Sequence, residues 1–248
     1  MTHWYLEPVT PFDLESTGVD TREARIVTGY VSTVRLADGR REIVPGAQVL
    51  VNPGIPIPPG ASAVHGITDE IAREKGCDPQ DGLHSIAEAL ARSLLAHIPV
   101  VGFNVVYDFS LLHWELIRHD LPTIGERLGR SRDAWFGPVI DAHVLDKQID
   151  PYRKGARNLG ATCQHYGIDL RDAHTADADA LASTRLAVRI GRTYATIGEM
   201  APRPLHMKQK GWRSSQAAGL ETHFRKTRPT AFVDRCWPIC TDLTHPTT

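Results

Sequence analysis

Asp13 and Glu15 stand one residue apart at the end of a short apolar stretch. In an extended chain both carboxylates therefore leave the same face. Two like charges that close repel each other unless a cation sits between them, and hard oxygen donors suit Mg²⁺ or Mn²⁺. Asp108 falls where an apolar strand gives way to a helix, the place at which open α/β sheets put their ligands. His174 and Asp179 form H-x4-D at the entry to a long helix, with the histidine in the preceding loop. Taken singly, each feature is ordinary: D-x-E pairs are common, and an aspartate at a helix N-terminus is favoured by capping and dipole alone. Together, four carboxylates and an imidazole are the inventory for two-metal phosphoryl transfer. The acids hold two divalent cations, and a neutral histidine takes a proton from water.

These side chains need a scaffold. Residues 4–12 read as a strand broken by Pro8 and Pro11, with Thr17-Gly18 ending it as a turn. Residues 25–36 and 42–51 read as a second and third strand, joined by a hairpin turn at Ala37-Asp38-Gly39-Arg40. A Pro- and Gly-rich loop at 52–60 precedes a short helix near Asp69-Glu70. Leu83, Ile86, Leu90 and Leu94 recur at helical spacing over 82–96. Residues 97–103 and 139–141 read as buried strands. Helices are expected over 104–119, after 141 to about 148, over 159–166 and from about 175. Three antiparallel strands followed by strands alternating with helices predict a mixed α/β sheet with helices on its faces. Beyond 198 the regular pattern lapses.

With 248 residues, 42% hydrophobic, and a formal net charge of −1, the chain can bury one sizeable core and advertises no global basic field. Its four scattered cysteines fit a reducing cytoplasm, and Cys236 and Cys240 lack the companions of a zinc site. No signal pattern or membrane-spanning run is evident, so a soluble, cytoplasmic protein with no membrane partner is expected.

The motifs resemble the DEDDh group of 3′→5′ exonucleases, DnaQ-like enzymes that include the proofreading epsilon subunit of bacterial DNA polymerase III. Phe12-Asp13-Leu14-Glu15-Ser16-Thr17-Gly18 looks like the first motif. Gly102-Phe103-Asn104 through Asp108-Phe109 and Leu112 looks like the second, and His174-Thr175-Ala176 with Asp179-Ala180 like the third. Val64-His65-Gly66-Ile67-Thr68 resembles the substrate-loop signature of the group. The resemblance implies a ribonuclease H-like fold and two Mg²⁺ or Mn²⁺ ions. Asp13, Glu15 and Asp179 would hold the tighter ion, and Asp13 would bridge to a second supported by Asp108. His174 would be the general base. Backbone near Leu14, Ser16 and Thr17, with His65, Ile67, Asn104 and Phe109, would hold the last nucleotides, an apolar side chain wedging against the terminal base. Ser16 departs from the more usual threonine but keeps the hydroxyl.

The resemblance implies release of nucleoside 5′-monophosphates from the 3′ ends of single-stranded or frayed DNA, in proofreading or repair. An exoribonuclease or oligoribonuclease of the same group, and a non-catalytic polymerase accessory, are the alternatives. An exonuclease domain over 8–195 would be followed by a basic, aromatic, partly helical tail over 196–248. That tail either docks on nucleic acid, a polymerase or a sliding clamp, or folds back with its aromatics buried.

Overall fold

The computed structural model describes residues 3–37, 40–170 and 174–241. The expected Asp38-Gly39 turn and the last seven residues lie outside that range.

A five-stranded sheet has the order β3-β2-β1-β4-β5. Its strands are β1 (Thr10–Ser16), β2 (Ile26–Ala37), β3 (Arg40–Leu50), β4 (Val100–Gly102) and β5 (Val139–Asp141). β1, β2 and β3 pair antiparallel, while β1–β4 and β4–β5 are parallel. This is the mixed α/β, ribonuclease H-like sheet expected. The first strand starts later than its apolar stretch suggests, because Trp4–Leu6 forms a 3-10 turn. Trp4 is buried there, and its indole N–H donates to the Ile197 carbonyl at 3.2 Å. The apolar residues before Pro8 therefore serve helix packing, not the sheet.

The helices are α1 (Pro59–His65), α2 (Asp69–Lys75), α3 (Pro79–Leu95), α4 (Val105–Arg118), α5 (Ile124–Arg127), α6 (Ala142–Ile149), α7 (Leu159–His165), α8 (Ala176–Thr193), α9 (Ala195–Gly198) and α10 (Pro202–Phe224). Part of the stretch read as a rigid loop is thus α1, which has a proline at its start, where its missing N–H costs nothing. One core lies between the sheet and α3 and α4, built on Phe12, Ile86, Leu90 and Leu112. A second lies under α8, with Val101, Ile140, Leu186 and Ile190. Gly29 lets β2 pass close to α3: a Cβ there would lie 2.6 Å from Ile86 Cδ1 and 2.9 Å from Leu14 Cδ2, so those side chains would have to shift.

The largest departure is α10, a 23-residue helix where regular pattern was read as lapsing. Its inward face includes His206 and Gln209 as well as Leu205 and Ala217, so it shows little apolar stripe. Those polar groups complete the sheet edge. Val139 N–H donates to His206 Nδ1 at 3.0 Å, Asp141 N–H to Gln209 Oε1 at 2.7 Å, and Gln209 Nε2 to the Val139 carbonyl at 3.0 Å. An edge strand that would expose unpaired backbone is covered by side chains. Cys236 and Cys240 are joined as a disulfide, so the expectation of reduced thiols does not hold for this pair.

Candidate active site

β1 alternates inward Phe12 and Leu14 with half-buried Asp13 and Glu15, so the two acids share the opposite face. The register of β1 against β2 shifts between Glu15 and Ser16, and the strand ends there. Thr17 closes the turn by exchanging bonds with Arg25: its N–H donates to the Arg25 carbonyl, and its Oγ1 accepts from Arg25 N, each at 2.9 Å.

Asp108 lies in the first turn of α4 and is only 4% exposed. Its Oδ1 accepts from Leu14 N at 3.2 Å, which brings it to the acids of β1. Glu115, two turns along α4, accepts from Ile26 N at 3.0 Å and pairs with Arg118, so the helix is held against β2 as well. Asp179 sits in the first turn of α8, and its Oδ1 accepts from His174 N at 3.4 Å. His174 takes the left-handed conformation (φ 69°), uncommon for a non-glycine residue and frequent at functional loops. Donor atoms of Glu15, His174 and Asp179 lie within 4.8 Å of one another.

The electrostatics follow from crowding. Burial holds the Asp13 carboxyl well above its ordinary range, and Asp108, Glu15 and Asp179 add repulsion in that order. Burial and then Asp179 push Glu15 up to about 7. Burial also raises Asp108, against bonds from the Asp108 and Leu14 amides, and it raises Asp179 against the pull of His174. Four acids that repel one another in a partly dry cleft form a site that a divalent cation would relieve. An all-oxygen carboxylate set beside one imidazole is chemically suited to Mg²⁺ or Mn²⁺.

Of the expected nucleotide contacts, His65 and Ile67 line a cleft of about 320 Å³ together with His174 and Thr175. Burial lowers the His65 pKa against a backbone hydrogen bond to Ser16, and its Nδ1 accepts from Ile67 N at 3.1 Å. Asn104 stands at the N-cap position of α4 in the left-handed conformation (φ 60°), and its side chain makes no capping bond. One expectation needs correction. Phe109 is 1% exposed, packed between Phe12 and Phe136 at ring distances of 5.0 and 4.8 Å, so it cannot wedge against a base. The Leu14 amide is engaged by Asp108.

Tyr107 adds a contact to the turn after β1. Its hydroxyl donates to the Gly18 carbonyl and lies 2.5 Å from Ser16 Oγ, which itself donates to Gly18 O at 2.8 Å. The phenol thereby pins the turn after β1 from α4. Its place beside Asp108 was the one sequence signal available. Asp141, whose Oδ1 accepts from Asn104 N at 2.9 Å, carries no such signal.

Two acids from β1, one from the start of α4 and one from the start of α8, on a ribonuclease H-like sheet, define the class of DEDD-type 3′→5′ exonucleases. Residues 11–187 match the RNase_T exonuclease family model, and the chain belongs to that family. It is 30% identical over 184 residues to a DNA polymerase III subunit epsilon-like protein of Rhodobacter capsulatus, covering 72% of this chain and 23% of the relative. It is 25% identical over 175 residues to a PolC-type DNA polymerase III of Streptococcus pneumoniae, covering 71% and 10%. The chain thus spans less than a quarter of the length of either relative. The fold is similar to Escherichia coli exonuclease I in complex with a dA16 oligonucleotide, with TM-score 0.60 and 17% identity over 78% of this chain and 42% of that one. Exonuclease I from Methylocaldum szegediense gives TM-score 0.56 and 21% identity over 87% and 45%. Among the described residues, no helix is long and apolar enough to cross a membrane.

Proposed function

We propose that the chain removes nucleoside 5′-monophosphates from the 3′ ends of single-stranded or frayed DNA. In this reading Asp13, Glu15, Asp108 and Asp179 hold two Mg²⁺ or Mn²⁺ ions, and His174 is the general base. The convergence of Glu15, His174 and Asp179 within 4.8 Å carries the reading. When bound, the cations would acidify water and balance charge on the phosphodiester. The side chains of the chain do the rest. His174 is exposed in its loop beside Glu15 and Asp179, where its imidazole can accept a proton from water. His65 and Ile67 close the cleft around the terminal nucleoside, which favours ends over internal bonds, and Tyr107 fixes the turn on which the backbone rests.

Upstream phosphates would follow α8. A second cleft, of about 520 Å³, is lined by Arg41, Arg185, Arg189 and Arg192, and by Asp169. The last three arginines lie six to thirteen residues beyond Asp179, roughly 9–20 Å along the helix. The epsilon-like relative and the oligonucleotide-bound fold neighbour favour DNA, and a proofreading or repair setting with a polymerase partner. The burial of α10 favours residues 196–241 as part of the same folded unit, with any docking role confined to its outer face.

The test is stepwise shortening of 5′-labelled DNA and RNA oligomers by the full chain with Mg²⁺ or Mn²⁺. DNA should be shortened from its 3′ end, and His174→Ala should slow this by about 10²–10⁴-fold with metal affinity largely kept. Internal cleavage, or undiminished rate in His174→Ala, would refute the reading.

A further inference from the structure

The segment after α10 reaches back to the second motif. Trp237 is 3% exposed, and its indole N–H donates to Asp141 Oδ2 at 3.2 Å. Asp141, 1% exposed at the end of β5, is a hub. Its Oδ1 accepts from Asn104 N at 2.9 Å and His143 N at 3.0 Å, and its Oδ2 accepts from Val105 N at 3.2 Å. The Asn104 side chain supplies no cap of its own, so the first N–H groups of α4 take their acceptor from Asp141 instead. Asp108 follows within that same helical turn.

We propose that Trp237 is a positioning residue for Asp108. Its N–H fixes the Asp141 carboxylate, which sets the entry of α4 and hence where Asp108 stands against β1. The loop that presents the indole is itself restrained. Val233 N–H donates to Glu221 Oε2 at 3.1 Å, Cys236 and Cys240 are joined, and the Trp237 ring packs against His206 at 4.7 Å. Cys240 N–H donates at 2.8 Å to Oγ of Ser110, two residues beyond Asp108 on α4. The tail therefore holds the second motif at two points, one through Asp141 and one directly. Partners that orient ligating side chains typically change metal affinity or activity by about 10–100-fold when lost.

The inference rests on the nuclease reading for its kinetic arm only. Trp237→Phe in the full chain keeps a ring in the pocket and removes the donor. The expected result is a fall in kcat on a single-stranded DNA oligomer and a fall in Mn²⁺ affinity, each about tenfold or more. KM should stay near wild type, and the variant should melt lower, because a buried carboxylate loses a donor, yet stay folded at the assay temperature. Wild-type kcat and Mn²⁺ affinity in Trp237→Phe would overturn the proposal. So would losses that vanish well below the melting midpoint of the variant, since those would mark unfolding alone. If the wild type shortens no oligomer, the nuclease reading fails, and Mn²⁺ affinity still decides whether Trp237 positions the acid.

Discussion

The amide of Leu14 donates to the carboxylate of Asp108 across 94 residues of chain, at 3.2 Å. This bond ties the first acidic strand to the helix carrying the third acid. Two substitutions separate its structural and chemical roles. Asp108→Asn keeps an acceptor and removes a charge, so without metal it should melt at or above wild type while activity is lost. Asp108→Ala strands a buried N–H, which costs about 1–3 kcal/mol, so it should melt below Asp108→Asn. Thermal melts of both variants decide it.

Burial and Asp179 push the Glu15 pKa from 4.5 up to about 7. The folded chain then binds this proton more tightly than the unfolded chain does. The associated stability is full below about pH 4.5 and is lost as pH rises through about 7. Metal-free protein should therefore lose stability across this window, and Glu15→Gln should flatten the loss. Mg²⁺ or Mn²⁺ should raise the melting midpoint more at pH 8 than at pH 5.5, because protons and cations compete for the same oxygens. Equal metal stabilisation at both pH values would count against the site.

Phe109 belongs to the core. Phe109→Ala should cost about 3–5 kcal/mol in denaturant unfolding. At a temperature where the variant is folded, its KM for a short oligomer should be unchanged.

Arg189 lies ten residues beyond Asp179 on α8, roughly 15 Å along the helix. Arg189→Glu should raise KM for a long oligomer several-fold and weaken its dependence on salt. A trinucleotide should be turned over as by wild type. An equal effect on both lengths would remove the basic cleft from the substrate path.

Legibility in the sequence followed how each residue is built into the fold. The acids of β1 were readable because period-two alternation puts Asp13 and Glu15 on one face, whatever the surroundings. α8 was readable from its apolar stripe. α10 was not, because it meets the sheet through His206 and Gln209, whose partners are backbone groups near residue 140. Phe109 misled because its neighbour Asp108 faces the site, while its own position on α4 turns it inward against Phe12. No spacing rule connects Trp237 to Asp141, a contact that exists only once the chain has folded back over β5.

The central claim is that acids from β1, α4 and α8 form one cation-binding centre. Calorimetric titration of the full chain with Mn²⁺ tests it most directly, with Asp13→Asn as the comparison. The account predicts saturable binding by the wild type that Asp13→Asn loses, while its metal-free melting midpoint stays level or rises. Wild-type affinity and stoichiometry in Asp13→Asn would contradict it.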